Sequence, residues 1–127
     1  MTIDIHTLIT ALKHSWSAET AYDANDWSPQ NPARGQCAVS SLVVQDYLGG
    51  ELVRFASEFD GIKEKHYANM VEGALLDVTR SQFPDDAVLV VSHPDLGEFA
   101  SLRERMLADE DTKRRYKLLK ERVGVLL

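Results

Sequence analysis

Gly35-Gln36-Cys37-Ala38-Val39-Ser40-Ser41-Leu42-Val43-Val44-Gln45-Asp46-Tyr47-Leu48-Gly49-Gly50 is the stretch on which the fold is decided. From Cys37 to Leu48 it is an apolar run. The turn-rich Asn31-Pro32-Ala33-Arg34 precedes it and a glycine pair closes it. That is the pattern of a buried helix with a clear start and stop. Cys37 is the single cysteine of the chain and opens this helix. A thiolate there is favoured by the positive end of the helix dipole. His66 and then Asp77 follow downstream. In that order the three residue types can supply a nucleophile, a base and a group that orients the base. A lone buried cysteine is also commonly a small core residue, so on position alone both readings stand.

On the N-terminal side, Ile5, Leu8, Ile9, Leu12 and Trp16 recur at helical spacing, which predicts a helix over 4–16. Residues 17–34 hold Asn25, Asp26, Ser28, Pro29, Asn31 and Pro32 and read as a long loop. Tyr22 and Trp27 argue that this loop is ordered, since aromatic rings bury area. The loop is expected beside Cys37. Trp27 is then either a substrate contact or simply the pin that holds the loop to the core.

On the C-terminal side the pattern turns strand-like. Glu51 to Ala56, Lys65 to Val71 and Ala74 to Val78 alternate, with turn signals at Asp60-Gly61 and Glu72-Gly73. Ala87 to Val91 reads as a further strand. Residues 96–122 read as helical, in two pieces broken near Asp109-Glu110-Asp111. The expected fold class is α+β: a Cys-bearing helix on an antiparallel meander, with extra helices at both ends. The chain reads as one domain over 1–127, its core at about 16–91 and a C-terminal helical extension at about 96–127.

The hairpin around Glu72-Gly73 brings the chemistry together. His66 on one strand and Asp77 on the next fall within one diagonal step of each other, about 4.5–8 Å at Cβ. A carboxylate there can hold one imidazole nitrogen and leave the other for a thiol. Aspartate is disfavoured within strands, so Asp77 calls for a partner. Gln36, through its side chain, and the backbone N–H of Cys37 are candidate donors to an oxyanion. Asn69 is a second candidate, although on a regular strand it faces away from His66. Arg80 is either an anchor for a substrate carboxylate or a structural partner for an acid. His6, His14 and His93 read as outside this group. Cys37, His66 and Asp77 make a poor zinc set, with one thiol and no His-x-x-x-His, so no metal and no cofactor is expected.

Composition excludes several function classes. The chain has 127 residues, 44% of them hydrophobic and 27% charged, with a net charge of −6. Lys113-Arg114-Arg115 and Lys117 are interleaved with acids, so nucleic-acid binding is not expected. No run reaches the roughly 18 apolar residues of a membrane span. Met1 to His6 lacks a basic region and an apolar core, so it does not read as a secretory signal. A lone thiol fits a reducing, cytoplasmic setting.

Gly35-Gln36-Cys37, His66-Tyr67-Ala68-Asn69 and Leu76-Asp77-Val78-Thr79-Arg80 together resemble the papain-like, transglutaminase-type core. In that superfamily a cysteine-bearing helix packs on an antiparallel sheet that carries His and then Asp. The resemblance implies Cys37 as nucleophile, His66 as base and Asp77 as orienter. It departs at Ala38, where many transglutaminase-type enzymes have tryptophan. A closer resemblance, over residues 16 to about 83, is to the small bacterial YunG-like proteins. It rests on Trp27, Pro32, Gly35 to Val39, Gln45-Asp46, Gly49-Gly50-Glu51, His66-Tyr67 and Asp77 to Arg80. It supports the fold and the site and leaves the substrate open.

The function expected from these residues is amide or acyl hydrolysis, or acyl transfer, through a thioester on Cys37. The substrate would be a small-molecule, peptide or protein amide. The alternative is an inactive binding or interaction module that keeps the fold. The C-terminal helices either cover the sheet or form a homodimer.

Overall fold

The computed structural model describes residues 3–127. Met1 and Thr2, part of the stretch read for a leader, lie outside the described residues.

Helix α1 spans Ile5–Ser15. Asp4 starts it by accepting the Thr7 N–H at 3.1 Å, a normal N-cap. Leu8, Ala11, Leu12 and Ser15 form its buried face. Trp16 then leaves the helix, and its indole N–H donates to Ser40 Oγ at 2.9 Å. Helix α2 spans Cys37–Leu48, and every residue from Val39 to Val44 is buried. The expected loop at 17–34 contains two short 3-10 turns, Ala18–Thr20 and Ala24–Asp26.

Strands β1 (Glu51–Phe59), β2 (Ile62–Val71) and β3 (Ala74–Leu76) form the expected antiparallel meander. Both connections are two-residue loops, Asp60-Gly61 and Glu72-Gly73, with φ of 50°, 75°, 50° and 80° in that order. Left-handed backbone at both loop positions is the type I′ pattern, whose twist matches paired strands. Gly50 is required for a different reason. A Cβ there would lie 2.2 Å from the Met70 carbonyl oxygen, so only glycine lets α2 turn into β1 at this point.

Strand β4 (Val88–Ser92) is the further strand expected at Ala87 to Val91, and it does not lie beside β3. It crosses to the far edge and pairs with β1, giving the order β3-β2-β1-β4. β3 has three residues and offers a short edge, whereas β1 has nine and accepts five partners from β4. One expectation about the sheet is corrected: the third strand, expected over Ala74 to Val78, stops at Leu76, so Asp77 is the first residue beyond it. A short 3-10 turn, Arg80–Gln82, begins the connection to β4.

Helices α3 (Leu102–Leu107) and α4 (Glu110–Leu126) follow, with the break at Ala108-Asp109. Asp109 caps α4 by accepting the Thr112 N–H at 2.9 Å. The core is not confined to 16–91. Leu8 and Leu12 of α1, Val39 to Val44 of α2, and Leu119 and Val123 of α4 share one buried cluster. The C-terminal helices therefore complete the core around α2 rather than covering the sheet from outside.

Candidate active site at the start of helix α2

Local bonding fixes where α2 begins. Gly35 has φ of 74°, and its carbonyl accepts the Tyr22 N–H at 2.9 Å. A Cβ on Gly35 would lie 2.9 Å from Tyr22 N, so the loop closes onto the helix start only over glycine. Gln36 is fully buried. Its side-chain Nε2 donates to the Ser17 carbonyl at 2.9 Å, and its Oε1 accepts from Thr20 Oγ1 at 2.7 Å. Gln36 thus anchors the 17–20 turn. Its side chain is not aimed at Cys37 chemistry, contrary to its expected role as an oxyanion donor. No side chain caps the first N–H groups of α2, so the backbone amides at its start keep their donor capacity.

His66 comes from the middle of β2 and is fully buried. Phe83 meets its ring edge-on at 4.9 Å between centroids, and Phe55, its register partner in β1, stands 6.0 Å away. Nε2 of His66 lies 2.7 Å from Asp77 Oδ2. Nδ1 faces Gln82 Nε2 at 3.4 Å. Cys37 lies near enough to the same imidazole to favour its protonated form. Burial works against the charged form of His66. The hydrogen bonds and charges of Asp77 and Cys37 outweigh it and push the pKa from 6.5 up to about 9.

Gln82 is a residue that sequence reasoning missed. Besides facing His66, its Nε2 donates to Thr79 Oγ1 at 3.1 Å and its Oε1 accepts the Gly35 N–H at 3.3 Å. One amide therefore stands between the imidazole and the start of α2. Gln82 lies in a turn with no periodicity, and nothing but its nearness to Asp77 in the chain marked it.

The remaining candidates fall elsewhere. Asn69 is buried, and its Nδ2 donates to the Ser41 carbonyl at 2.9 Å, one turn inside α2. The Trp27 indole donates to the Pro32 carbonyl at 2.9 Å and pins its own loop. Arg80 is held by the carbonyls of Phe83, Pro84 and Asp85 at 3.1–3.4 Å, a structural clamp on the connection to β4.

Cys37 opens into a cleft of about 710 Å³ bordered by Tyr22, Arg34, Tyr67, Gln82 and Arg105. Among the described residues, no three His, Cys, Asp or Glu side chains stand close enough to hold a metal ion. No described helix is long and apolar enough to cross a membrane.

Fold and site together define an α+β protein with one thiol at a helix start beside a His–Asp pair. The YunG protein family matches residues 4–127, and the chain belongs to that family. It is similar to the "Uncharacterized protein YunG" of Bacillus subtilis (strain 168), 36% identical over 72 residues. That match covers 57% of this chain and 56% of the relative, so it spans about half the length of each. No solved structure matches the chain.

Proposed function

We propose that the chain is a thiol-dependent enzyme acting on an amide or acyl carbonyl, with a papain-like, transglutaminase-type arrangement of Cys37, His66 and Asp77. The observation that carries this reading is the His66–Asp77 bond of 2.7 Å, with Cys37 near the same imidazole and opening into a cleft. Asp77 orients the ring, and His66 carries as imidazolium the proton given up by the Cys37 thiol, which leaves the sulfur as thiolate. The sulfur adds to the carbonyl carbon, and the oxygen that gains charge is met by backbone N–H groups at the start of α2. Collapse of that adduct breaks the bond to the leaving group, which departs with the proton from His66. Water or an amine then cleaves the thioester by the same steps. A reducing, cytoplasmic setting suits such a thiol.

The test is the rate of Cys37 alkylation by iodoacetamide against pH, in the wild type and in His66→Ala. The expected result is a fast, His66-dependent reaction at neutral pH. Identical profiles in both proteins, at the rate of a free thiol, would favour the binding module instead.

A further inference from the structure

The cleft at Cys37 is bordered by five cations and four carboxylates, and they are unevenly paired. Of its four carboxylates, Asp26 and Glu64 both bond to Arg34, whereas Asp23 accepts the Asn25 N–H and Asp109 caps α4, and these two keep their charge. Arg115 is held by Asp111. Lys63, Lys65 and Arg105 border the same cleft, and among the described residues none of them has a carboxylate partner. In a chain of net charge −6, these three cations with no carboxylate within ion-pair distance are a local departure from the acidic surface.

Arg54 extends the feature. It stands directly opposite Tyr67 in the β1–β2 register. Its Nε is buried without a hydrogen-bond partner. A second hollow, of about 420 Å³ over β1 and β4, is bordered by Arg54 and shares Lys63, Glu64 and Lys65 with the Cys37 cleft. The two hollows are neighbours across these residues. Tyr67 links them: it borders the Cys37 cleft together with Arg105 and stands opposite Arg54 on the sheet, and burial holds its phenol above its ordinary pKa.

We propose that the Cys37 cleft takes an acyl or amide substrate that bears a carboxylate of its own, held by Arg54 and Arg105 beside Tyr67. This rests on the thiol-enzyme reading above. A buried guanidinium N–H left unpaired is costly. A planar carboxylate matches the guanidinium fork and would pair it. With the anionic group at Tyr67, the neutral carbonyl is left for the sulfur.

Iodoacetate and iodoacetamide test this, because they differ only in carboxylate against carboxamide. Both form a sulfur–carbon bond with the thiolate and release iodide. Second-order rate constants for Cys37 are measured at low salt and divided by those of glutathione. The wild type is expected to favour iodoacetate by ~5-fold or more in this corrected ratio. Arg105→Gln is expected to lower the preference, and Arg54→Gln with Arg105→Gln to abolish it. Added salt should weaken it. Fast alkylation by iodoacetamide with a corrected ratio of about one would overturn the anionic substrate and leave the thiol reading intact. A preference unchanged in Arg105→Gln would do the same. Reaction with both reagents no faster than glutathione would overturn the thiol reading, and this inference with it.

Discussion

Asp77 Oδ2 lies 2.7 Å from His66 Nε2, although Asp77 is already outside the sheet that carries His66. The hairpin keeps the two close, since Asn69 pairs with Leu76 and Asp77 follows directly. Leaving the strand frees the carboxylate to swing onto the ring. It also removes the objection to aspartate in a strand, because the residue never enters the ladder.

Asp77→Asn is expected to keep the fold and to change the imidazole. The amide offers no charge to hold a proton on His66, so the His66 pKa should fall. Cys37 alkylation near neutral pH should then slow far more than stability drops. Asp77→Ala additionally leaves a buried ring nitrogen unpaired and should cost ~1–3 kcal/mol in denaturant unfolding. A stability loss with an unchanged alkylation profile in Asp77→Asn would make Asp77 a structural residue only.

The raised His66 pKa makes stability depend on pH. The folded state holds the imidazole proton up to about pH 9, whereas the unfolded chain releases it near 6.5. The contribution is therefore fully present below pH 6.5 and is lost as pH rises through 9. A shift of this size corresponds to about 3 kcal/mol. The unfolding free energy of the wild type should fall across this window relative to His66→Gln, and the His66 ring signals in an NMR titration should move near pH 9. A ring midpoint at or below 6.5 would contradict the hydrogen-bonded imidazolium.

Gln82→Ala should loosen the site without touching Cys37, His66 or Asp77. It removes the donor to Thr79, the acceptor for Gly35 N–H and the neighbour of His66 Nδ1. A loss of ~1–3 kcal/mol is expected, because buried polar partners are left unpaired. The alkylation rate of Cys37 should change in the same variant. Gln82→Glu, which keeps the acceptor for Gly35 N–H, should recover part of the stability.

Leu119→Ala tests whether α4 belongs to the core. Leu119 is fully buried in the cluster shared by α1, α2 and α4. The cavity should cost ~2–5 kcal/mol. A loss below ~1 kcal/mol, typical of a surface helix, would place α4 outside the core. Gly50→Ala should be comparably damaging, since its Cβ would meet the Met70 carbonyl backbone, which cannot move aside cheaply.

Local chemistry was enough to read the elements and the register of one hairpin. The apolar run from Cys37 to Leu48, closed by glycines, specifies a helix whatever surrounds it. Glu72-Gly73 sets the pairing of β2 with β3 because a two-residue loop admits essentially one register. That is why the closeness of His66 and Asp77 was legible. The contacts of Gln36, Asn69 and Arg80 were not. Each carries polar atoms that could serve chemistry or structure, and only three-dimensional partners decide which. Gln36 met Ser17 and Thr20, Asn69 met Ser41, and Arg80 met three carbonyls. Gln82 became part of the site through neighbours 16 and 47 positions away. The placement of β4 on β1 and of α4 in the core also belongs to the tertiary structure. Apolar periodicity says that a face must be buried, but not which partner buries it, and that choice is made by the free edge and the free volume that the rest of the chain leaves.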